Sequence, residues 1–311
     1  MESLNLSKLA KWFSDEDAAR KLLEKMRWGG HPTCPRCGGL NPYTITPKAT
    51  TKTTRKGLYK CSQCRKPFTV TVGTIFEDSH IPISKWLLAM HLMAASKKGM
   101  SAHQLHRMLG VTYKSAWFMA HRLRYAMMQK PLVDKLRGII EVDETYVGGR
   151  RRGKRERRGH PGHDSNKTPV VALVQRKGRV RAFPMMRVTA DNLDQAINAH
   201  IDVPNSTLMT DEAHAYKTIG QKFQHHGVVK HAAGEYVRGD AHTNTAEGFF
   251  SLLKRGITGV YHHVGRGHLE RYCDEFAFRY NARTVDDGTR AAMIVSGAEG
   301  RRLTYRQPAA S

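Results

Sequence analysis

The stretch GIIEVDETYV, residues 138–147, sets Asp143 inside a run of Ile139, Ile140, Val142 and Val147 that otherwise reads as a buried β-strand. An acid among apolar neighbours needs a partner, because burying a lone carboxylate is costly. Side chains alternate along a strand, so Asp143 and Glu144 point to opposite faces and only one of them can readily join a given site. Spacing alone does not choose between them.

Working outward, strand patterns recur at 169–175 and 179–188, joined by a turn at Lys177 and Gly178. A helix is expected at 191–201, a buried strand at 206–210, a short helix at 214–219, a strand at 227–231, and helices at 243–257 and 268–281. Three antiparallel strands followed by alternating β and α elements is the order of a ribonuclease H-like α/β fold, here over 137–283. Residues 150–167 form a Gly/Arg-rich insert, beginning Arg150, Arg151, Arg152, with Glu156 and Asp164 its only acids. It cannot bury a core and is expected to order only on meeting DNA.

Two more acids fall at element ends. Asp211 closes the strand at 206–210, with Glu212 as its rival, and Glu247 lies early in the helix TNTAEGFFSLLKRG, residues 243–256. At about 100° per residue, Asn244, Glu247, Ser251 and Lys254 share one arc, and Phe249, Phe250, Leu252, Leu253 and Ile257 occupy the other side. Oxygen ligands from Asp143, Asp211 and Glu247 suit Mg²⁺ or Mn²⁺. Two such ions roughly 3.5–4 Å apart would activate a water or hydroxyl and stabilise the leaving oxygen of a phosphodiester. Lys254 and Arg255 would reach a DNA phosphate. Asn244 and His242 are secondary candidates beside this site.

The N-terminal half reads differently. Cys34 and Cys37, then Cys61 and Cys64, form two Cys-x-x-Cys pairs 23 residues apart, the spacing of a four-cysteine structural zinc site. Flanking strand-like stretches make it a zinc ribbon over 30–76, preceded by a helix within 1–29. Helices at 84–96, with Ser84 as its cap, at 101–109 and at 113–127, broken at Gly99 and Gly110, have the spacing of a helix-turn-helix region within 80–130. Its second helix carries Tyr113, Lys114 and Ser115, and later His121, Arg122 and Arg124. Residues 284–311 read as a C-terminal tail, and Cys273 as a free buried thiol. The chain has 311 residues and a net charge of +24, from 51 Lys and Arg against 27 Asp and Glu, which favours a polyanion partner. The polar start and the want of a long apolar run exclude a leader and a membrane span, and a reducing cytoplasm is expected.

Taken together, CPRCG, YKCSQC, IEVDETYVGG, TDEAHAY and HTNTAEGFFSLLKRGI resemble bacterial insertion-sequence transposases, in the branch with a zinc ribbon ahead of an aspartate–aspartate–glutamate (DDE) domain. The resemblance spans about 30–283. It implies Mg²⁺- or Mn²⁺-dependent phosphoryl transfer on double-stranded DNA, at inverted-repeat ends and at a target, by a homodimer or larger assembly. It favours Asp143 over Glu144 and maps the triad onto Asp143, Asp211 and Glu247, with Lys254 as the associated lysine. Some relatives use asparagine as the third residue, which keeps Asn244 in play. The competing readings are a non-catalytic DNA-binding regulator and a ribonuclease H-like nuclease.

Overall fold

The computed structural model describes residues 15–46, 55–128, 135–148, 167–229, 237 and 239–304. Its helices are α1 (Glu16–Trp28), α2 (Ile83–Ala95), α3 (Ala102–Leu109), α4 (Tyr113–Met127), α5 (Ala190–His200), α6 (Tyr216–Gly220), α7 (Asn244–Gly256), α8 (Leu269–Asn281) and α9 (Asp287–Ala298). Its strands are β1 (Tyr43–Ile45), β2 (Leu58–Lys60), β3 (Pro67–Phe68), β4 (Leu136–Val147), β5 (Thr168–Gln175), β6 (Val180–Pro184), β7 (Ile201–Asp211) and β8 (His225–Val229). The chain divides into two compact units, 1–128 with 284–308, and 129–283 with 309–311.

In the first unit, β1, β2 and β3 make a small antiparallel sheet. It is too small to bury a core of its own, and α1 covers it. Trp28 meets Tyr59 and Phe68 edge-on at 5.5 and 6.0 Å, and Arg27 donates to the carbonyls of Val70 and Val72. The three helices α2, α3 and α4 follow. Ser101 and Thr112 cap α3 and α4 by accepting from the backbone N–H groups of Gln104 and Ser115, and Gly110, at φ 59°, makes the left-handed turn between them.

Three expectations change here. Ser84 does not cap α2; it lies inside the helix and is buried, and the carboxylate of Glu16 on α1 accepts from the N–H groups of Ile83 and Ser84. His121, Arg122 and Arg124 do not line an outer face of α4. All three are buried, and Arg122 donates to the carbonyls of Ile75, Glu77 and Leu303. The segment read as a tail contains α9, whose Ala291, Ile294, Val295 and Ala298 are buried against α2 and α4.

The second unit is one five-stranded sheet in the order β6-β5-β4-β7-β8. The β4–β5 and β5–β6 pairs are antiparallel, and β4–β7 and β7–β8 are parallel. That order and those directions are the ribonuclease H-like arrangement, with β4 at the centre. One face buries Val170, Ala172 and Val174 under Phe249, Phe250 and Leu253 of α7 and Phe276 of α8. The other buries Ile140, Val142, Val171 and Leu173 under Leu193 and Ile197 of α5 and Tyr216 of α6. Cys273 is fully buried and free, as expected. Among the described residues no helix is long and apolar enough to cross a membrane.

Gly297 shows how closely α9 is seated. A Cβ at this position would stand 2.1 Å from the carbonyl oxygen of Ala126 on α4. Alanine normally stabilises a helix interior by up to about 1 kcal/mol over glycine. Here backbone meets backbone, so G297A should instead cost about 1–3 kcal/mol, read as a fall in melting temperature.

Candidate active site and zinc centre

The four cysteines converge. Their sulfurs all lie within 4.8 Å of one another, with Cys34–Cys64 at 3.7 Å and Cys37–Cys61 at 3.5 Å. Tetrahedral zinc with bonds of about 2.3 Å requires sulfurs about 3.8 Å apart, so the donor set fits the metal. Both knuckles are built alike. Gly38 follows Cys37 at φ 71°, and Arg65 follows Cys64 at φ 59°, so each turns left-handed straight after its second cysteine. Cys34 N–H donates to the carbonyl of Gly39, and Cys61 N–H to that of Lys66. The N–H groups of Cys64 and then Gln63 help pull the Cys61 thiol down to about 7, while, against the Gly39 backbone N–H, the hydrogen bond it shares with Cys37 pushes Cys37 up to about 11.

In the second unit the register sets the acids. β4 and β7 run parallel with Glu141 opposite Met209, so two residues on Asp143 comes level with Asp211. Asp143 pairs across to Ala172 and shares its face, the one covered by α7 and α8. Glu144 pairs with Val171 on the other face and accepts from the hydroxyl of Tyr216 at 2.7 Å. The alternation that leaves Asp143 and Glu144 as rivals on paper thus separates them onto α7 and α6 sides. On α7, Asn244, Glu247, Ser251 and Lys254 are exposed along one stripe, and Phe249, Phe250 and Leu253 are buried.

Electrostatics tie the acids together. Burial, then the negative charges of Glu144, Asp211 and Glu247, push Asp143 up to about 7, against one favourable bond from the Glu144 N–H at 2.8 Å. Among the described residues Asp211 accepts from the Ala213 N–H, at 3.1 Å. Among the described residues no cation pairs with Asp143 or Asp211. Among the described residues the four cysteines are the one set of three or more such donors whose atoms all lie within 4.8 Å of one another; Asp143, Asp211 and Glu247 are linked through charge and carry the oxygen donors a divalent metal takes.

Glu141 carries no role in the sequence reading, yet it is completely buried between Asp143 and the start of α7. Its carboxylate accepts from Arg176 Nε at 2.6 Å, Thr245 Oγ1 at 2.8 Å, Thr245 N at 2.8 Å and Ala246 N at 3.0 Å. His242 Nδ1 stands 3.2 Å from it. The available signal was its place two residues before Asp143, which puts both acids on one strand face.

For the interface, Tyr113 and Lys114 are exposed on the first turn of α4, with Tyr113 stacked on His103 at 4.3 Å. Lys254 and Arg255 are exposed on α7. Arg150, Arg151 and Arg152 lie outside the described residues.

Two outcomes follow for the two centres. C61S should lower the zinc content from about one ion per chain to near none and unfold the ribbon, as metal analysis and melting would show. In protein free of Mg²⁺ and Mn²⁺, folded Asp143 holds its proton up to about 7, above its ordinary value of 3.8. The folded state therefore binds more protons, and stability should fall as pH rises from about 4 to 7. Urea midpoints at either end of that window should differ less in D143N.

Residues 135–281 match the family profile of the ISXO2-like transposase domain, and residues 14–67 that of the transposase zinc-ribbon domain. A protein of Halobacterium salinarum described as an uncharacterized protein in transposable element ISH50 is 29% identical over 288 residues, covering 86% of this chain and 92% of that protein. That relative is archaeal, so the bacterial branch expected from the motifs is too narrow a description. A pre-cleavage Mos1 transpososome and a Mos1 strand transfer complex are each 12% identical over 68% of this chain and 78% of theirs, with TM-scores of 0.23 and 0.24. Both profiles match in the order in which the two units' motifs occur, so the chain carries a transposase zinc-ribbon domain followed by an ISXO2-like transposase domain.

Proposed function

We propose that this protein moves its insertion sequence by binding the terminal inverted repeats, cutting the 3′ ends and joining them to target DNA. What supports this reading is that Asp143 and Asp211 come level on adjacent parallel strands and that the charge of Glu247, on α7, bears on Asp143. These three would hold Mg²⁺ or Mn²⁺, which when bound supplies an activated nucleophile and charge stabilisation for the leaving oxygen. Glu247 is preferred to Asn244 because a carboxylate binds such ions better than a neutral amide.

The chain's own groups do the rest. Lys254 lies about two turns beyond Glu247 on the same exposed stripe, and with Arg255 it would grip the phosphates flanking the scissile bond. Tyr113 and Lys114 sit where a recognition helix meets base edges, and the buried remainder of α4 keeps that turn rigid. Arg150, Arg151 and Arg152 add charge that lowers the cost of approaching a second duplex. In the first displacement a water oxygen bonds to phosphorus and the bond to the 3′ oxygen breaks, leaving a 3′-hydroxyl. In the second the oxygen of that hydroxyl bonds to a target phosphorus while the bond from that phosphorus to the target's own 3′ oxygen breaks, and the expelled oxygen takes up a proton. No covalent protein intermediate is required, because positioning and charge carry the catalysis. The site of action is wherever the DNA is, and an assembly of two or more chains would hold two ends together.

D143A and D211A should each lower end cleavage and strand joining by at least about a thousandfold on inverted-repeat DNA with Mg²⁺ or Mn²⁺, while DNA binding by gel shift stays intact. Retained joining would refute the residue assignment. Cleavage by the wild type with no joined product would make the protein a nuclease instead.

A further inference from the structure

We infer that Glu141 is a positioning residue that fixes Glu247 against Asp143; this rests on the reading of Asp143, Asp211 and Glu247 as a metal site. Thr243 is the N-cap residue of α7, and its side chain makes no capping bond. The N–H groups of Thr245 and Ala246 are the two that an N-cap side chain normally satisfies. Glu141 takes both from a distant strand, at 2.8 and 3.0 Å, and takes the Thr245 hydroxyl as well. Glu247 is the next residue, and its N–H closes the first helical bond to Thr243 O. So the cap, Asp143 two residues along β4 and Glu247 one residue along α7 belong to one rigid set.

Arg176 completes it. Its Nε binds Glu141, its Nη1 and Nη2 bind the carbonyls of Asp240 and His242, and its own N–H binds the Ile139 carbonyl. The loop leading into α7 is therefore tied to the centre of the sheet on both sides of Glu141. The ion pair also answers why a fully buried carboxylate is tolerated here. A cap supplied merely for stability could sit anywhere on the sheet. This one sits on the same strand face as Asp143, so any shift of α7 along the sheet changes the distance between two acids that must share a metal.

The test uses the full-length, zinc-loaded chain and Mn²⁺ as the probe. E141Q keeps the shape but turns an NH₂ toward donors. Its melting should remain cooperative, the peptide containing Thr245 and Ala246 should exchange hydrogen about tenfold faster, and Mn²⁺ affinity by electron paramagnetic resonance should fall about tenfold or more. T245S should match the wild type and T245V should fall between. Wild-type exchange and wild-type Mn²⁺ affinity in E141Q would overturn the inference. Faster exchange with unchanged Mn²⁺ affinity would also overturn it, leaving Glu141 a cap and nothing more. If E141Q fails to fold, T245V decides by the same two readings. D143N separates the layers. Lost Mn²⁺ binding in D143N beside full binding in E141Q sinks the positioning role alone. Full Mn²⁺ binding in D143N sinks the metal site, and the positioning role with it.

Discussion

The second unit is organised around a carboxylate that water cannot reach. Glu141 is fully buried at the centre of the sheet, and an unpaired carboxylate there would cost several kcal/mol. Three things must therefore happen together. Arg176 must reach across from the end of β5, α7 must begin within hydrogen-bond distance of β4, and the loop at 239–243 must close over both. Each of these also sets where Glu247 stands. Charge neutralisation in the core and placement of the outer acids are one constraint, which explains why a fold would keep so costly a group in its middle strand.

The first unit uses the same device at smaller scale. Glu16 on α1 takes the first N–H groups of α2, as Glu141 takes those of α7. In both cases a glutamate far along the chain replaces a local cap, and so locks two elements together while satisfying donors that would otherwise be orphaned. Arg27 and Arg122 do the converse, carrying guanidinium groups inward to satisfy stray carbonyls at Val70, Val72, Ile75 and Glu77. Such groups let loops with little regular structure pack tightly, since their buried carbonyls need donors from somewhere.

This pattern marks the boundary of what could be read from residues alone. Periodicity is a local property, so the elements were legible: α4 runs Tyr113–Met127 and β4 ends at Val147, as their patterns indicate. The two cysteine pairs were legible because knuckle spacing is also local. Long-range caps were not. Ser84 has the right chemistry but comes too late, because the helix already begins at Ile83 and Glu16 holds the N–H groups of Ile83 and Ser84. Arg122 and Arg124 look like a basic stripe because sequence shows charge and conceals burial. α9 reads as a tail because its small residues, Ala291, Gly297 and Ala298, carry little amphipathic contrast; Gly297 is small because its backbone meets that of α4. Glu141 escaped notice for a related reason. On paper its neighbours Asp143 and Glu144 compete for the same role, and only the pairing register shows that all three acids have different surroundings.

The two donor sets also bear on each other. Four thiolates in the first unit are soft ligands at the spacing zinc requires, whereas the acids of the second are hard oxygen donors on separate elements. Zinc in the ribbon would be held by residues from two short turns, so its binding free energy would go into folding that module. Oxygen donors drawn from two strands and a helix are held apart by a finished sheet, and as the proposed metal site they would take their ion after folding. A metal that arrives after folding could be released and replaced, which would suit the proposed chemistry. The burden of geometry then falls on the protein and not on the ion, and it falls first on the buried carboxylate that ties α7 to β4.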